Sequence, residues 1–139
     1  MRKKRVLVVE DNELNRELLC QILSQEYDVI EAENGQVALE ILKEHKNSIS
    51  LIFLDVVMPV MDGYTFLNRL RSDSSMSFIP VVVTTQSSSE EDEVNALSHG
   101  ATDFVPKPYR PQIILHRAAN LIELRENAAM VNQFMYDRL

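Results

Sequence analysis

The sequence predicts an open parallel α/β sheet with helices on both faces, and three observations carry that prediction. Short unbroken apolar runs at Val6 to Val9, Leu51 to Leu54 and Val81 to Val83 read as strands covered on both sides. Segments with helical spacing of apolar residues alternate with them. Each strong strand also ends abruptly in polar residues: Glu10-Asp11, Asp55 and Thr84-Thr85. Five strands alternating with five helices require right-handed crossovers, and such sheets work at the carboxyl ends of their strands.

Taken in order, the first strand is Val6 to Val9, followed by a helix from about Asn12 to Glu26 whose apolar face is Leu14, Leu18 and Ile22, with Leu19 and Leu23 beside it. Asp28 to Ala32 is a short strand. Asn34-Gly35 opens a second helix with Val37, Ala38, Ile41 and Leu42 inward. The third strand ends at Asp55; Met58-Pro59 bars helix after it, and Asp62-Gly63 marks a turn before a helix over Tyr64 to Arg71 that faces inward through Phe66, Leu67 and Leu70. Pro80 opens the fourth strand, where a first-position proline is tolerated. Serines 87 to 89 and the acids Glu90, Glu91 and Asp92 start a fourth helix that ends at Gly100. With only Val94, Ala96 and Leu97 apolar, that helix is expected to be lightly held. Asp103 to Val105 is the fifth strand, Pro106-Lys107-Pro108 breaks the chain, and a last helix starts near Pro111.

Composition narrows the function. The chain has 139 residues, enough for one ordinary domain, with 45% hydrophobic and 25% charged residues. A net charge of -7 argues against direct nucleic-acid binding or a grip on anionic membrane, and the basic run Arg2 to Arg5 reads as a solvated leader. One cysteine, Cys20, excludes a disulfide framework; it reads as a small buried hydrophobe in a reducing compartment. No apolar run approaches a membrane span and no signal segment is evident, so a cytoplasmic location is expected.

The strand ends bring together Glu10, Asp11, Asp55, Thr85 and Lys107. Singly, each has an ordinary explanation: an Asp after a strand caps a turn, a Thr fills a strand, a Lys sits on the surface. Jointly they describe a site. Clustered carboxylates stay ionised at modest cost only around a cation, and hard oxygen ligands with room for water suit Mg2+, to which the Val57 backbone carbonyl could add a ligand. Asp55 then serves as a nucleophile toward a phosphoryl group, whose equatorial oxygens are shared among the metal, the Lys107 ammonium and the Thr85 hydroxyl.

With these residues in view, the sequence resembles the receiver domains of bacterial two-component response regulators from about Lys4 to Leu124. The matching segments are Val8-Val9-Glu10-Asp11-Asn12, Ala32-Glu33-Asn34-Gly35, Leu54-Asp55-Val56-Val57-Met58-Pro59-Val60-Met61-Asp62-Gly63, Ile79-Pro80-Val81-Val82-Val83-Thr84-Thr85 and Gly100 to Pro108. Separations of 44 residues from Asp11 to Asp55, 30 to Thr85 and 22 to Lys107 match as well, and they select Thr85 over Thr84. The resemblance implies a flavodoxin-like sheet in the order 2-1-3-4-5, an order for which receivers are themselves a standard example. It further implies a phosphorylation-activated switch. A sensor histidine kinase or phosphotransfer protein phosphorylates Asp55, the acidic pair binds Mg2+, Thr85 and Phe104 move as the switch pair, and the face of the fourth helix, fifth strand and last helix changes its contacts. Lys107-Pro108 is expected to be cis. No enzyme activity is implied beyond self-phosphorylation and autodephosphorylation. Three positions depart from the usual pattern: Glu10 stands where Asp is more frequent, Phe104 lacks the hydroxyl of the alternative Tyr, and Gln86 follows Thr85 where a small residue is usual. A long amide at Gln86 is expected to alter the lifetime of the phosphorylated state.

Residues 1–124 would then be the receiver and 125–139 a helical extension or a linker to an output domain. Leu121, Leu124, Ala128, Val131 and Met135 step by three and four, about two heptads of a seam that either packs on the domain or pairs two copies as a homodimer. Tyr136-Asp137-Arg138-Leu139 resembles the opening of diguanylate cyclase (GGDEF) domains. Against these readings stand a stand-alone receiver acting by partner binding, a flavin-binding module, which would need a phosphate loop that Glu10-Asp11 would repel, and an aspartyl phosphatase, which would normally place a second acid where Val57 stands.

Overall fold

The computed structural model describes residues 3–56, 58, 60–86 and 90–137, with side chains described through residue 127. The elements run β1 (Arg5–Val9), α1 (Glu13–Leu23), β2 (Asp28–Ala32), α2 (Gly35–His45), β3 (Ile49–Asp55), α3 (Gly63–Ser72), β4 (Val81–Thr85), α4 (Glu90–Ser98), β5 (Asp103–Pro106) and α5 (Pro111–Asp137). All strand pairs are parallel and the order is β2-β1-β3-β4-β5, as expected.

The inner strands β1, β3 and β4 bury both faces because alternate side chains enter two separate cores. Leu7, Val9, Ile52, Leu54, Val81 and Val83 meet Ala38, Leu39 and Leu42 of α2 and Phe66, Leu67 and Leu70 of α3. Val6, Val8, Leu51, Phe53 and Val82 meet Leu19, Ile22 and Leu23 of α1 and Ile114, Ala118 and Ile122 of α5. Each fully buried side chain of this size stabilises the fold by roughly 1.5–3 kcal/mol. The sheet is therefore held stiffly, and its carboxyl edge is a fixed platform.

Several expectations need correction. The buried face of α1 is Leu19, Ile22 and Leu23, whereas Leu14 is 75% exposed and Leu18 43%. Four-residue steps advance about 40° around a helix, so Leu14 and Leu18 fall to the side of the face formed by Leu19, Ile22 and Leu23. Leu39 joins the inward face of α2. Asp62 is a helix cap rather than part of a free turn: its carboxylate accepts from the Thr65 N–H at 2.9 Å, and Gly63 already opens α3. The basic leader is solvated as expected at Lys3 and Lys4, with surface contacts from Lys4 to Glu126 and from the Arg5 guanidinium to Ser48 Oγ at 3.1 Å. Serines 87 to 89 lie outside the described residues.

Two arginines fasten the amino end of the sheet. Arg71 of α3 donates to the carbonyls of Ser77 (2.8 Å), Ile79 (2.7 Å) and Gly100 (2.9 Å). Gly100 holds φ at 106° where α4 ends, with its N–H donating to Leu97 O and the Ala101 N–H to Ala96 O, the pattern that closes a helix through a left-handed glycine. Arg125 donates to Ile49 O at 3.1 Å and lies 4.5 Å from the centre of the Phe78 ring, so α5 remains docked well past its first turns. Of the proposed seam, Leu121 is partly buried against the core and Leu124 is 64% exposed; the side chains of Ala128, Val131 and Met135 lie outside the described residues. No helix among the described residues is long and apolar enough to cross a membrane.

Candidate functional site at the carboxyl edge

The carboxyl edge holds a cavity of about 530 Å3 lined by Glu10, Asp11, Asp55, Thr85, Phe104 and Lys107, together with Tyr64, Gln86, Asp92 and Asn95. All the side chains singled out in the sequence are thus brought to one place, apart from the Val57 carbonyl, which lies outside the described residues.

Asp55 is the last residue of β3 and only 5% exposed. The chain just beyond it is fixed by Gly63, whose N–H donates to Val56 O at 3.0 Å. A Cβ at Gly63 would stand 2.5 Å from Val56 Cα and 2.6 Å from Asp55 O, so only glycine lets α3 begin against the back of Asp55. Val60 crosses the same loop at φ 69°, a left-handed conformation that strains a β-branched residue, and its side chain is 81% exposed.

Glu10 and Asp11 leave β1 in opposite environments. Asp11 is exposed, while Glu10 is 1% exposed and anchored by its main chain, the N–H donating to Ala32 O and the carbonyl accepting from Arg16 Nη1 at 2.9 Å. The Glu10 carboxylate meets Lys107 Nζ at 2.8 Å, and the same ammonium lies 3.4 Å from Asp55 Oδ1. Burial pushes the Glu10 carboxyl up, but hydrogen bonding with Asp55 and the bond to and charge of Lys107 outweigh it and hold the group below its usual range. Lys107 is itself positioned by its N–H, which donates to Thr85 O at 2.7 Å, and the Lys107-Pro108 bond is cis, as expected.

Adjacent positions on β4 face opposite ways. Thr85 lines the cavity, whereas Thr84 is 1% exposed and its hydroxyl accepts a long bond, 3.4 Å, from Tyr109. Tyr109 also reaches Glu10 Oε1 at 3.5 Å, and burial, with the nearby charges of Glu10 and Asp55, pushes its phenol well above the ordinary range, keeping it a proton donor. Tyr109 and Arg16 support the site without any sequence motif to announce them. Phe104 is half-buried against the core beside the cavity.

One oxygen from each of Glu10, Asp11 and Asp55 lies within 4.8 Å of the others. Three carboxylates beside one ammonium leave negative charge uncompensated, and an all-oxygen set with one solvent-facing member fits a hard divalent cation that keeps part of its water.

A family model for the response regulator receiver domain matches residues 6–119. The chain is 36% identical over 132 residues to a probable cyclic di-GMP phosphodiesterase of Vibrio cholerae, covering 94% of this chain and 30% of that one. Among solved structures, the chemotaxis protein CheY4 of Vibrio cholerae superposes with a TM-score of 0.79 at 29% identity, covering 86% of this chain and 98% of the other. A probable two-component response regulator/GGDEF domain protein superposes with a TM-score of 0.81 at 29% identity, covering 88% and 50%. Other curated relatives are also longer, the chain spanning 9% and 53% of two of them.

Proposed function

Since the chain belongs to the response regulator receiver domain family, we propose that Asp55 is its phosphoacceptor and that the cavity around it is the switch site. The observation that carries this reading is the placement of a nearly buried Asp55 between an ammonium and two further carboxylates at the end of the central strand. Glu10, Asp11, Asp55 and the Val57 carbonyl would hold Mg2+, which when bound supplies charge neutralisation to the transferred phosphoryl oxygens. Asp55 forms the new O–P bond as the P–N bond of a donor phosphohistidine breaks, and the imidazole departs. Lys107 turns its ammonium from Glu10 toward a phosphoryl oxygen, and the Thr85 hydroxyl donates to another. With Thr85 drawn in, Phe104 turns inward behind it, and the face of α4, β5 and α5 presents different contacts.

The phosphoryl donor in this reading is a sensor histidine kinase or a phosphotransfer protein, in the cytoplasm. The chain acts as a regulatory acceptor, with self-phosphorylation and autodephosphorylation as its only chemistry. Residues 1–124 form the receiver, and 125–139 lead toward an output domain or pair two copies through the last helix; the exposed Leu124 next to a docked Arg125 supports a second face on α5. A diguanylate cyclase output is supported by the GGDEF-containing structural relative. Calorimetric titration with beryllofluoride in the presence of Mg2+ tests the site: saturable one-to-one binding is expected, and it disappears in Asp55→Ala and without Mg2+. Binding that survives Asp55→Ala would refute the reading.

A further inference from the structure

One side chain joins α3 to α4 and is used by none of the phosphoryl chemistry. Tyr64, the second residue of α3, stacks on His99 just beyond the end of α4, with ring centroids 4.4 Å apart and planes tilted by 32°. His99 is held to α4 by the 2.7 Å contact of Nδ1 with Asn95 O. Tyr64 lines the cavity together with Asp92 and Asn95 of α4, and burial, with the Asp92 charge, pushes its phenol up. Apart from the Arg71 bond to Gly100 O at its end, α4 is lightly buried. Ala96 is its one buried residue, and Val94 and Leu97 face solvent.

Tyr64 is also firmly tied to the Asp55 loop. It directly follows Gly63, whose N–H is bonded to Val56 O and at which a Cβ would stand 2.6 Å from Asp55 O. The Gly63 contact with Val56 and Asp55 thus places the ring that touches α4 one residue from the chain at the end of β3.

We propose that Tyr64 is a positioning residue that couples the Asp55 loop to α4 through its stacking on His99, a route separate from Thr85 and Phe104. A displacement at the loop moves the first turn of α3 and alters the hold on α4; by reciprocity, the hold on α4 biases how readily the loop accepts its ligand. The coupling rests on Asp55 as the switch position, whereas the hold on α4 does not.

Hydrogen exchange of α4 amides in the whole chain tests this, with and without Mg2+ and beryllofluoride, in the parent, Tyr64→Leu and Tyr64→Phe. Without ligand, Tyr64→Leu is expected to exchange in α4 roughly threefold to tenfold faster, the range an aromatic pair confers, while β1 and β3 amides keep their rates. Tyr64→Phe, retaining the ring, falls between. The ligand-induced change in α4 shrinks in Tyr64→Leu. Unchanged α4 exchange, or an equal rise in α4 and the sheet, overturns the proposal; so does a full ligand-induced change in the variant. A parent chain that ignores beryllofluoride refutes the Asp55 reading and the coupling together, and ligand-free exchange then still decides the hold on α4.

Discussion

α3 and α4 are neighbours of similar length on one side of the sheet, yet they are held in different ways. α3 is capped by Asp62, starts on a glycine pressed against Asp55 and buries Phe66, Leu67 and Leu70. α4 buries Ala96 alone and carries four acids in its first turn. The difference separates two tasks: α3 fixes the end of β3 in place, while α4 is left near the low end of local stability, from which moving elements are drawn. A site that must stay preorganised and a surface that must change can share one small domain if their anchors are this unequal.

Substitutions can break or sharpen that contrast. The largest effect is expected for Phe66→Ala, about 4 kcal/mol lost from a fully buried aromatic, against less than about 0.5 kcal/mol for the half-exposed Leu97→Ala, both read by urea denaturation. Similar losses for the two would mean that α4 is as firmly seated as α3. Arg71→Ala should cost about 2–3 kcal/mol, because it strips partners from three main-chain carbonyls, and exchange should rise first around Gly100. Val60→Gly relieves a left-handed β-branched residue and should stabilise by about 1 kcal/mol, with beryllofluoride affinity retained. The smallest effect is on kinetics alone: Gln86→Ala should change the aspartyl-phosphate lifetime without moving stability, since Gln86 is exposed at the cavity mouth. Equal lifetimes would dismiss a role for the amide.

Much of this was visible in the sequence because it is local. The runs Val6 to Val9 and Leu51 to Leu54 declare buried strands by themselves, and the polar residue ending each declares the working edge. The light hold on α4 was likewise legible from its few apolar residues. What escaped depends on distant partners. Leu14 and Leu18 carry an apolar period, but nothing in the sequence says that the neighbouring face of Leu19, Ile22 and Leu23 is the one turned to the sheet. Arg71 and Arg125 look like surface cations until the fold presents them with carbonyls from other segments. Tyr109 is two residues past Lys107, yet its place between Glu10 and Thr84 is set by tertiary packing. Tyr64 reads as one more helix aromatic, and His99 becomes its partner only through tertiary packing.

The central claim is that one carboxylate, Asp55, carries the phosphoryl group. Intact-mass spectrometry after incubation with acetyl phosphate and Mg2+ tests it most directly. A single phosphoryl adduct is expected, sensitive to alkaline hydrolysis and absent from Asp55→Asn. An unmodified parent chain, or an adduct that persists in Asp55→Asn, would contradict the account.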